Sequence, residues 1–89
     1  MDVQKIFQDF KFTDTRELLH TYVVTKGDDT YRIELLYSYS NPTTPWFAEV
    51  YVLKAETWKL AKEFPWVQEG HEEGALRQAL SFIQDQKAN

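Results

Sequence analysis

The stretch that decides the fold of this 89-residue chain is TYRIELLYSY, residues 30–39. Its side chains alternate between two kinds, as they do along a half-buried β-strand. The odd-numbered positions are all aromatic or aliphatic: Tyr31, Ile33, Leu35, Tyr37 and Tyr39. The even-numbered positions are mixed: Arg32, Glu34, Leu36 and Ser38. This alternation predicts a strand with one buried face.

Two further strands are predicted on either side of this one. Residues 17–25 read ELLHTYVVT and residues 46–54 read WFAEVYVLK, and both are rich in β-branched and aromatic residues. The turn signal at 26–29 contains Gly27, which suits the first central position of a type II′ hairpin. The loop at 41–45 contains two prolines, which interrupt a ladder. Short connections between consecutive strands predict an antiparallel meander.

The segment AETWKLAKEF, residues 55–64, fits two structures. Ala55, Trp58 and Ala61 fit a short helix, whereas Trp58 and Leu60 fit a short fourth strand. We favour the strand, so the sheet has three strands and gains a fourth if this segment pairs.

A helix is predicted at each end of the chain. The first has one apolar stripe, with Asp2 as its cap: Val3, Ile6, Phe7 and Phe10. The second carries Glu72 and Glu73 in its first turn and the stripe Leu76, Ala79, Leu80 and Ile83. The sequence therefore predicts one α+β domain over residues 1–89. Its element order is α-β-β-β-(β)-α, with both helices packed on one face of the sheet.

A hairpin register can be written for this sheet, with Tyr22 opposite Ile33 and Tyr39 opposite Trp46. The face that the helices are expected to cover is then nearly all apolar: Leu18, His20, Tyr22, Val24, Tyr31, Ile33, Leu35, Tyr37, Tyr39, Trp46, Ala48, Val50 and Val52. The opposite face is mixed: Leu19, Thr21, Val23, Arg32, Glu34, Leu36, Ser38, Phe47, Glu49, Tyr51 and Leu53.

The mixed face is less polar than a water-facing side of an antiparallel sheet should be. Contiguous exposed apolar residues usually mark an interaction site. Two alternatives stay open: the apolar residues have no function, or a loop over 61–70 covers them. The residues predicted to bind a partner are Leu19, Val23, Leu36, Phe47, Tyr51, Leu53 and Trp66.

No pattern in the sequence indicates catalysis or a cofactor. The chain has no cysteine, and its two histidines, His20 and His71, are not arranged as a metal motif. We interpret His20 as a structural residue and His71 as part of a helix cap. The three glycines form no phosphate-binding loop. We therefore predict no catalytic residue, metal or cofactor, and no small-molecule ligand.

Charge bears on the class of partner. The formal net charge is −4, which disfavours phosphate-rich partners. The order of elements resembles that of the double-stranded-RNA-binding domain, but the last helix opens with the acidic stretch 69–73. No apolar run is long enough to span a membrane. We predict a small cytoplasmic interaction module, a homodimer or an adaptor subunit, with nucleic-acid binding as the alternative.

Overall fold

The computed structural model describes residues 2–40, 43–64 and 71–87. Its elements in chain order are α1 (Val3–Gln8), β1 (Arg16–Lys26), β2 (Asp29–Ser38), β3 (Trp46–Lys54), β4 (Thr57–Phe64) and α2 (Glu72–Asp85). The strands form one antiparallel sheet in the order β1-β2-β3-β4. The predicted α+β meander between two helices is confirmed, and the ambiguous segment 55–64 supplies the fourth strand.

Two tight hairpins define the ends of the meander. In the β1–β2 hairpin, Lys26 pairs with Asp29, and Gly27 takes the positive φ of 62° that the turn requires. In the β3–β4 hairpin, Ala55 and Glu56 both have positive φ values, 50° and 65°. These are unfavourable for residues with a Cβ atom, so the pairing of the flanking strands has to stabilise the turn.

The register between β2 and β3 differs from the prediction by two residues. Tyr37, rather than Tyr39, lies opposite Trp46. The backbone N–H of Ser38 donates to the carbonyl of Pro45 at 2.8 Å, which closes the ladder one residue before Tyr39. The N–H of Tyr39 instead donates to the carbonyl of Thr15, also at 2.8 Å. A shift of two keeps every side chain on its predicted face.

A bulge in β1 places two residues on the opposite face from the one predicted. Leu18 lies opposite Leu36 and His20 lies opposite Leu35, so Leu19 is an extra residue in the strand. Leu18 therefore shares the mixed face, where it is half exposed, rather than the apolar face. Leu19 lies beside Tyr37 on the other side of the sheet, and its predicted place on the mixed face is wrong.

The hydrophobic core lies between α2 and the three strands β2, β3 and β4. From the sheet it contains Tyr31, Ile33, Leu35, Ala48 and Val50, and from the helix Ala75, Ala79 and Ile83. Gly74 is buried inside α2, which explains its presence in the helix: small side chains on this face let the helix lie close to the sheet. We call the face covered by α2 the first face and the opposite one the second face.

Both ends of α2 are fixed by side chains. At the N-terminus, Nδ1 of His71 accepts a hydrogen bond from the N–H of Gly74 at 3.2 Å, as the capping interpretation predicted. At the C-terminus, Nζ of Lys26 donates to the carbonyl of Ile83 at 3.3 Å and to those of two further residues of the last turn and cap, Gln84 and Gln86. A cation at this end also complements the helix dipole.

The N-terminal helix α1 adds little to the core. Asp2 caps it, accepting a hydrogen bond from the N–H of Lys5 at 3.3 Å, but none of its residues is buried. Its aromatic contact with the sheet region is between Phe7 and Tyr39, whose ring centroids are 5.3 Å apart. Ile6 and Phe10 remain exposed. Among the residues that the structure describes, no helix combines the length and hydrophobicity needed to cross a bilayer.

Candidate interaction face of the sheet

The second face is built from side chains of all four strands. It carries Arg16, Leu18, Thr21 and Val23 of β1, Arg32, Glu34 and Leu36 of β2, Phe47, Glu49, Tyr51 and Leu53 of β3, and Trp58, Leu60 and Glu63 of β4. The described helices pack elsewhere, with α2 on the first face and α1 beside Tyr39.

The apolar residues of the second face differ in exposure, with a buried pair near one end of the face. Leu36 and Phe47 lie opposite each other and are only 8% and 7% exposed. The other aliphatic residues of this face are far more exposed, between 36% and 61%: Leu18, Val23, Leu53 and Leu60. These exposed residues leave apolar surface in contact with water on a face that the described helices do not cover.

Two arginines lie over the aromatic rings of this face. The guanidinium carbon of Arg16 is 4.7 Å from the ring centroid of Phe47. That of Arg32 lies 4.5 Å from the ring of Tyr51 and 4.9 Å from that of Trp58. Such cation–π contacts hold the aromatic side chains in fixed positions. Nε of Arg32 also lies 3.3 Å from a carboxylate oxygen of Glu34.

A row of three carboxylates crosses the centre of the second face. Glu34 lies directly opposite Glu49 across β2 and β3, and Glu49 lies directly opposite Glu63 across β3 and β4. Burial raises the pKa of Glu49, and the negative charges of Glu34 and Glu63 raise it further. Burial also raises the pKa of Tyr51, as does the nearby charge of Glu49. The row is therefore a concentrated negative potential that the two arginines compensate only in part.

The structure brings five of the seven predicted partner-binding residues together on the second face: Val23, Leu36, Phe47, Tyr51 and Leu53. Leu19 lies on the other side of the sheet, and Trp66 falls outside the described residues. The sequence prediction missed Trp58 and Leu60, which join the face only because 57–64 is a strand. Their spacing of two residues indicates a strand, but the same segment also contains the spacing of a short helix.

The histidines have structural partners. Nε2 of His20 lies 2.7 Å from a carboxylate oxygen of Glu72, which ties the edge of the sheet to the first turn of α2. His20 is nevertheless half exposed, because α2 packs chiefly on β3 and β2. Over residues 2–40, 43–64 and 71–87, no group of three or more metal-ligating side chains is placed to hold an ion.

An open cleft of about 280 Å³ lies beside α1 and is lined by Phe7, Phe10, Phe12 and Tyr39 together with polar residues. It contains neither histidine, and Tyr39 is its one side chain with a displaced pKa. The hydroxyl of Tyr39 donates to a carboxylate oxygen of Glu17, and this hydrogen bond raises the pKa of Tyr39 to about 12. A proton held this firmly is not suited to acid–base chemistry near neutral pH.

Comparison with protein families, with curated protein sequences and with solved structures finds no match to this chain. The function therefore has to be argued from the geometry of the molecule itself.

Proposed function

We propose that this domain is a non-catalytic protein-interaction module whose second face binds a protein partner presenting apolar side chains around a lysine or arginine. One observation carries the proposal: exposed aliphatic residues surround a row of three adjacent carboxylates on a face that neither described helix covers. A cytoplasmic location belongs to the same proposal, because a chain without cysteine needs no oxidising compartment for its folding.

The apolar part of the face supplies the binding energy in this proposal. Val23, Leu53 and Leu60 would bury their exposed area against a partner on one side of the carboxylate row, and Leu18 would do so on the other side, next to the buried pair Leu36 and Phe47. Because Arg32 already stacks on Tyr51, that ring loses little further freedom when a partner binds.

The carboxylate row determines the charge of the partner. A cation near Glu49 would relieve the repulsion that raises the pKa of this residue. An anionic partner, or one that buried the row without a cation, would meet the full cost of desolvating the carboxylates. The row therefore selects for lysine or arginine at the centre of the partner surface.

The same charge argument disfavours a second copy of this chain as the occupant of the second face. Two copies packed face to face about this row would bring Glu34, Glu49 and Glu63 of one against the same three residues of the other. Like charges held close together in an interface cost several kcal/mol. We therefore assign this face to a different protein, in an adaptor role.

Selection from a library of displayed random peptides tests the proposal with a defined probe. We expect wild-type domain to enrich peptides that combine aliphatic or aromatic residues with lysine or arginine. Their binding should weaken by about tenfold or more for Leu53→Glu and for Glu49→Lys, since each change removes a complementary contact. Leu80→Glu is the matched control, because Leu80 has a similar exposure to Leu53 but belongs to α2.

Circular dichroism of each variant shows whether it is folded. Enrichment of peptides that contain no basic residue would contradict the proposed chemistry of the partner. Peptides whose binding responds to Leu80→Glu, and not to Leu53→Glu, would contradict the choice of face.

Single-stranded nucleic acid is the second candidate ligand, because arginines lie over three rings of the same sheet face. Exposed aromatic residues with nearby arginine can stack bases. Glu34 and Glu49, however, lie between the rings and would repel phosphates. Fluorescence anisotropy with labelled single-stranded RNA and DNA at low salt distinguishes the two candidates. Binding that Trp58→Ala abolishes would favour nucleic acid as the ligand. The absence of binding would favour a protein partner.

A further inference from the structure

The two edges of the sheet differ in how they are protected against pairing. β4 carries Lys59, Lys62 and Glu63, and Ala61 forms a bulge in its middle, where Val50 pairs with Lys62 but Tyr51 with Leu60. Charges and bulges of this kind prevent an edge from pairing with another strand.

β1 lacks this protection over most of its length. The eight residues 18–25, LLHTYVVT, contain no aspartate, glutamate, lysine, arginine, proline or glycine. Only Leu19 is a bulge, so the ladder from His20 to Lys26 is regular. Tyr22 and Val23 are 38% and 61% exposed, and the side chain of Lys26 is directed to the end of α2 rather than along the edge. No other strand of the described chain pairs with the outer side of β1.

We propose that two copies of this chain pair through the outer edges of β1, antiparallel and centred on Tyr22, to form one continuous eight-stranded sheet. A long, neutral and regular edge offers a row of unpaired backbone donors and acceptors to such a strand. This interaction goes beyond the proposed function, because it uses the edge of the sheet rather than its second face.

The register follows from symmetry. A twofold axis perpendicular to the sheet keeps every residue on its own face, and opposite residues of an antiparallel pair share a face. In the regular part of β1, Tyr22 then lies opposite Tyr22 of the second copy. His20 lies opposite Val24 of the second copy on the first face, and Thr21 lies opposite Val23 of the second copy on the second face.

The bulge makes the ends of the strand complementary. Because Leu19 is an extra residue, Leu18 takes the position next to His20 and Glu17 the position after it. Glu17 then lies opposite Lys26 of the second copy, on the first face. Lys26 keeps its hydrogen bonds to the end of α2 and Glu17 keeps the one from Tyr39, so this opposition of charges contributes attraction without direct contact; centring the pair on Thr21 or Val23 instead would lose it.

The dimer leaves both second faces available. A twofold axis perpendicular to the sheet preserves the side on which each face lies, so the two second faces become neighbours on one surface. A peptide that binds the second face should therefore bind the dimer and the monomer alike, and the two proposals can fail separately.

Sedimentation equilibrium on the full chain tests the proposal with a charge exchange at Tyr22. We expect the wild type to dimerise weakly, with a Kd below about 1 mM, because pairing one strand buries less area than a standard interface. Tyr22→Glu and Tyr22→Lys should each raise the Kd by about tenfold or more, since each sets like charges directly opposite one another. An equimolar mixture of the two variants should restore dimerisation, because the charges are then opposite.

Leu60→Glu is the control, because it adds the same charge to the other edge strand and should leave the Kd unchanged. A wild type that stays monomeric up to about 1 mM overturns the proposal. A dimer that is dissociated by Leu60→Glu but not by Tyr22→Glu also overturns the proposal, because it would place the interface on the second face. A mixture of the Tyr22 variants that remains monomeric overturns the register centred on this residue. Hydrogen exchange gives an independent measurement: amide protection over 20–26 should rise with protein concentration.

Discussion

Glu49→Gln is expected to stabilise this protein at neutral pH. Glu49 is the middle carboxylate of the row on the second face, with Glu34 opposite it on one side and Glu63 on the other. Burial and these two charges raise its pKa above the ordinary value of 4.5. Folding therefore opposes ionisation of Glu49, and glutamine removes the charge while retaining an oxygen that can accept the hydrogen bond of Tyr51.

The size of the effect follows from the cross-strand geometry. Like charges directly opposite each other cost about 0.2–1 kcal/mol per pair, and Glu49 belongs to two such pairs. The nearby Arg16 offsets part of this cost, and solvent screens the charge of Glu63, the exposed member of the row. We therefore expect a gain of about 0.5–1 kcal/mol in the free energy of unfolding. For a domain of this length the melting temperature should rise by about 2–8 °C.

The direction of the shift in the pKa of Glu49 determines how the gain in stability depends on pH. A carboxyl group with a raised folded pKa destabilises the fold only when it is ionised. The penalty is absent below its unfolded pKa and is complete above its folded pKa. The advantage of Glu49→Gln should thus be present at about pH 7.5 and disappear near about pH 3.5.

Urea denaturation followed by tryptophan fluorescence measures the free energy of unfolding at each of the two pH values. Glu56→Gln, in the β3–β4 turn, is the matched control and should change stability by less than about 0.5 kcal/mol at either pH. If Glu49→Gln destabilises the protein at neutral pH, or stabilises it equally at low pH, the carboxylate row does not carry the repulsion assigned to it.

Two further predictions concern contacts that fix the ends of elements. Lys26→Met should lower the free energy of unfolding by about 1–2 kcal/mol in urea denaturation, because it keeps the aliphatic stem but removes the hydrogen bonds from the C-terminus of α2. Lys59→Met, at an exposed site on β4, is its control, and an equal loss there would contradict this role. In ultraviolet titration, the difference between wild type and Tyr39→Phe should show a tyrosine with a pKa of about 12. Glu17→Gln should return this pKa toward 10, because the hydrogen bond to Glu17 is the main cause of the shift; an unchanged value would refute that assignment.

Much of the fold could be predicted because side-chain period and turn chemistry agree along most of the chain. The alternation over 30–39 identified β2, and Gly27 identified the first hairpin. The sequence was ambiguous at the second hairpin, where Ala55 and Glu56 occupy positive φ angles that usually select glycine or asparagine. The strand pairing of β3 with β4 stabilises this turn, and such pairing cannot be read from the residues of the turn.

The errors at the candidate site have a similar origin. A bulge adds one residue without changing local composition, so nothing in ELLHTYVVT indicated that Leu19 would leave the second face and Leu18 would join it. The alternation of the second face predicted Val23, Leu36 and Phe47 correctly, because Val23 lies in the regular part of β1 after the bulge and the other two residues lie on other strands. The carboxylate row was visible only as separate acidic residues, because its third member, Glu63, depends on the uncertain fourth strand.

Pairing through the outer edge of β1 would also determine how the second faces of the two copies are arranged. In the proposed dimer, Glu34 of each copy is separated from that of the other by three strand spacings, roughly 14 Å across the sheet. The two carboxylate rows would then present negative charge on one surface, and a partner with two basic segments could bind both. Linked binding of this kind raises apparent affinity through effective concentration and requires no new contact. It also accounts for a row of like charges that lowers the stability of a small domain: departures from the rules of stable folding are expected where a surface is used for binding. The neutral edge of β1 is a second such departure, and both departures lie on the sheet, on surfaces that α2 does not cover.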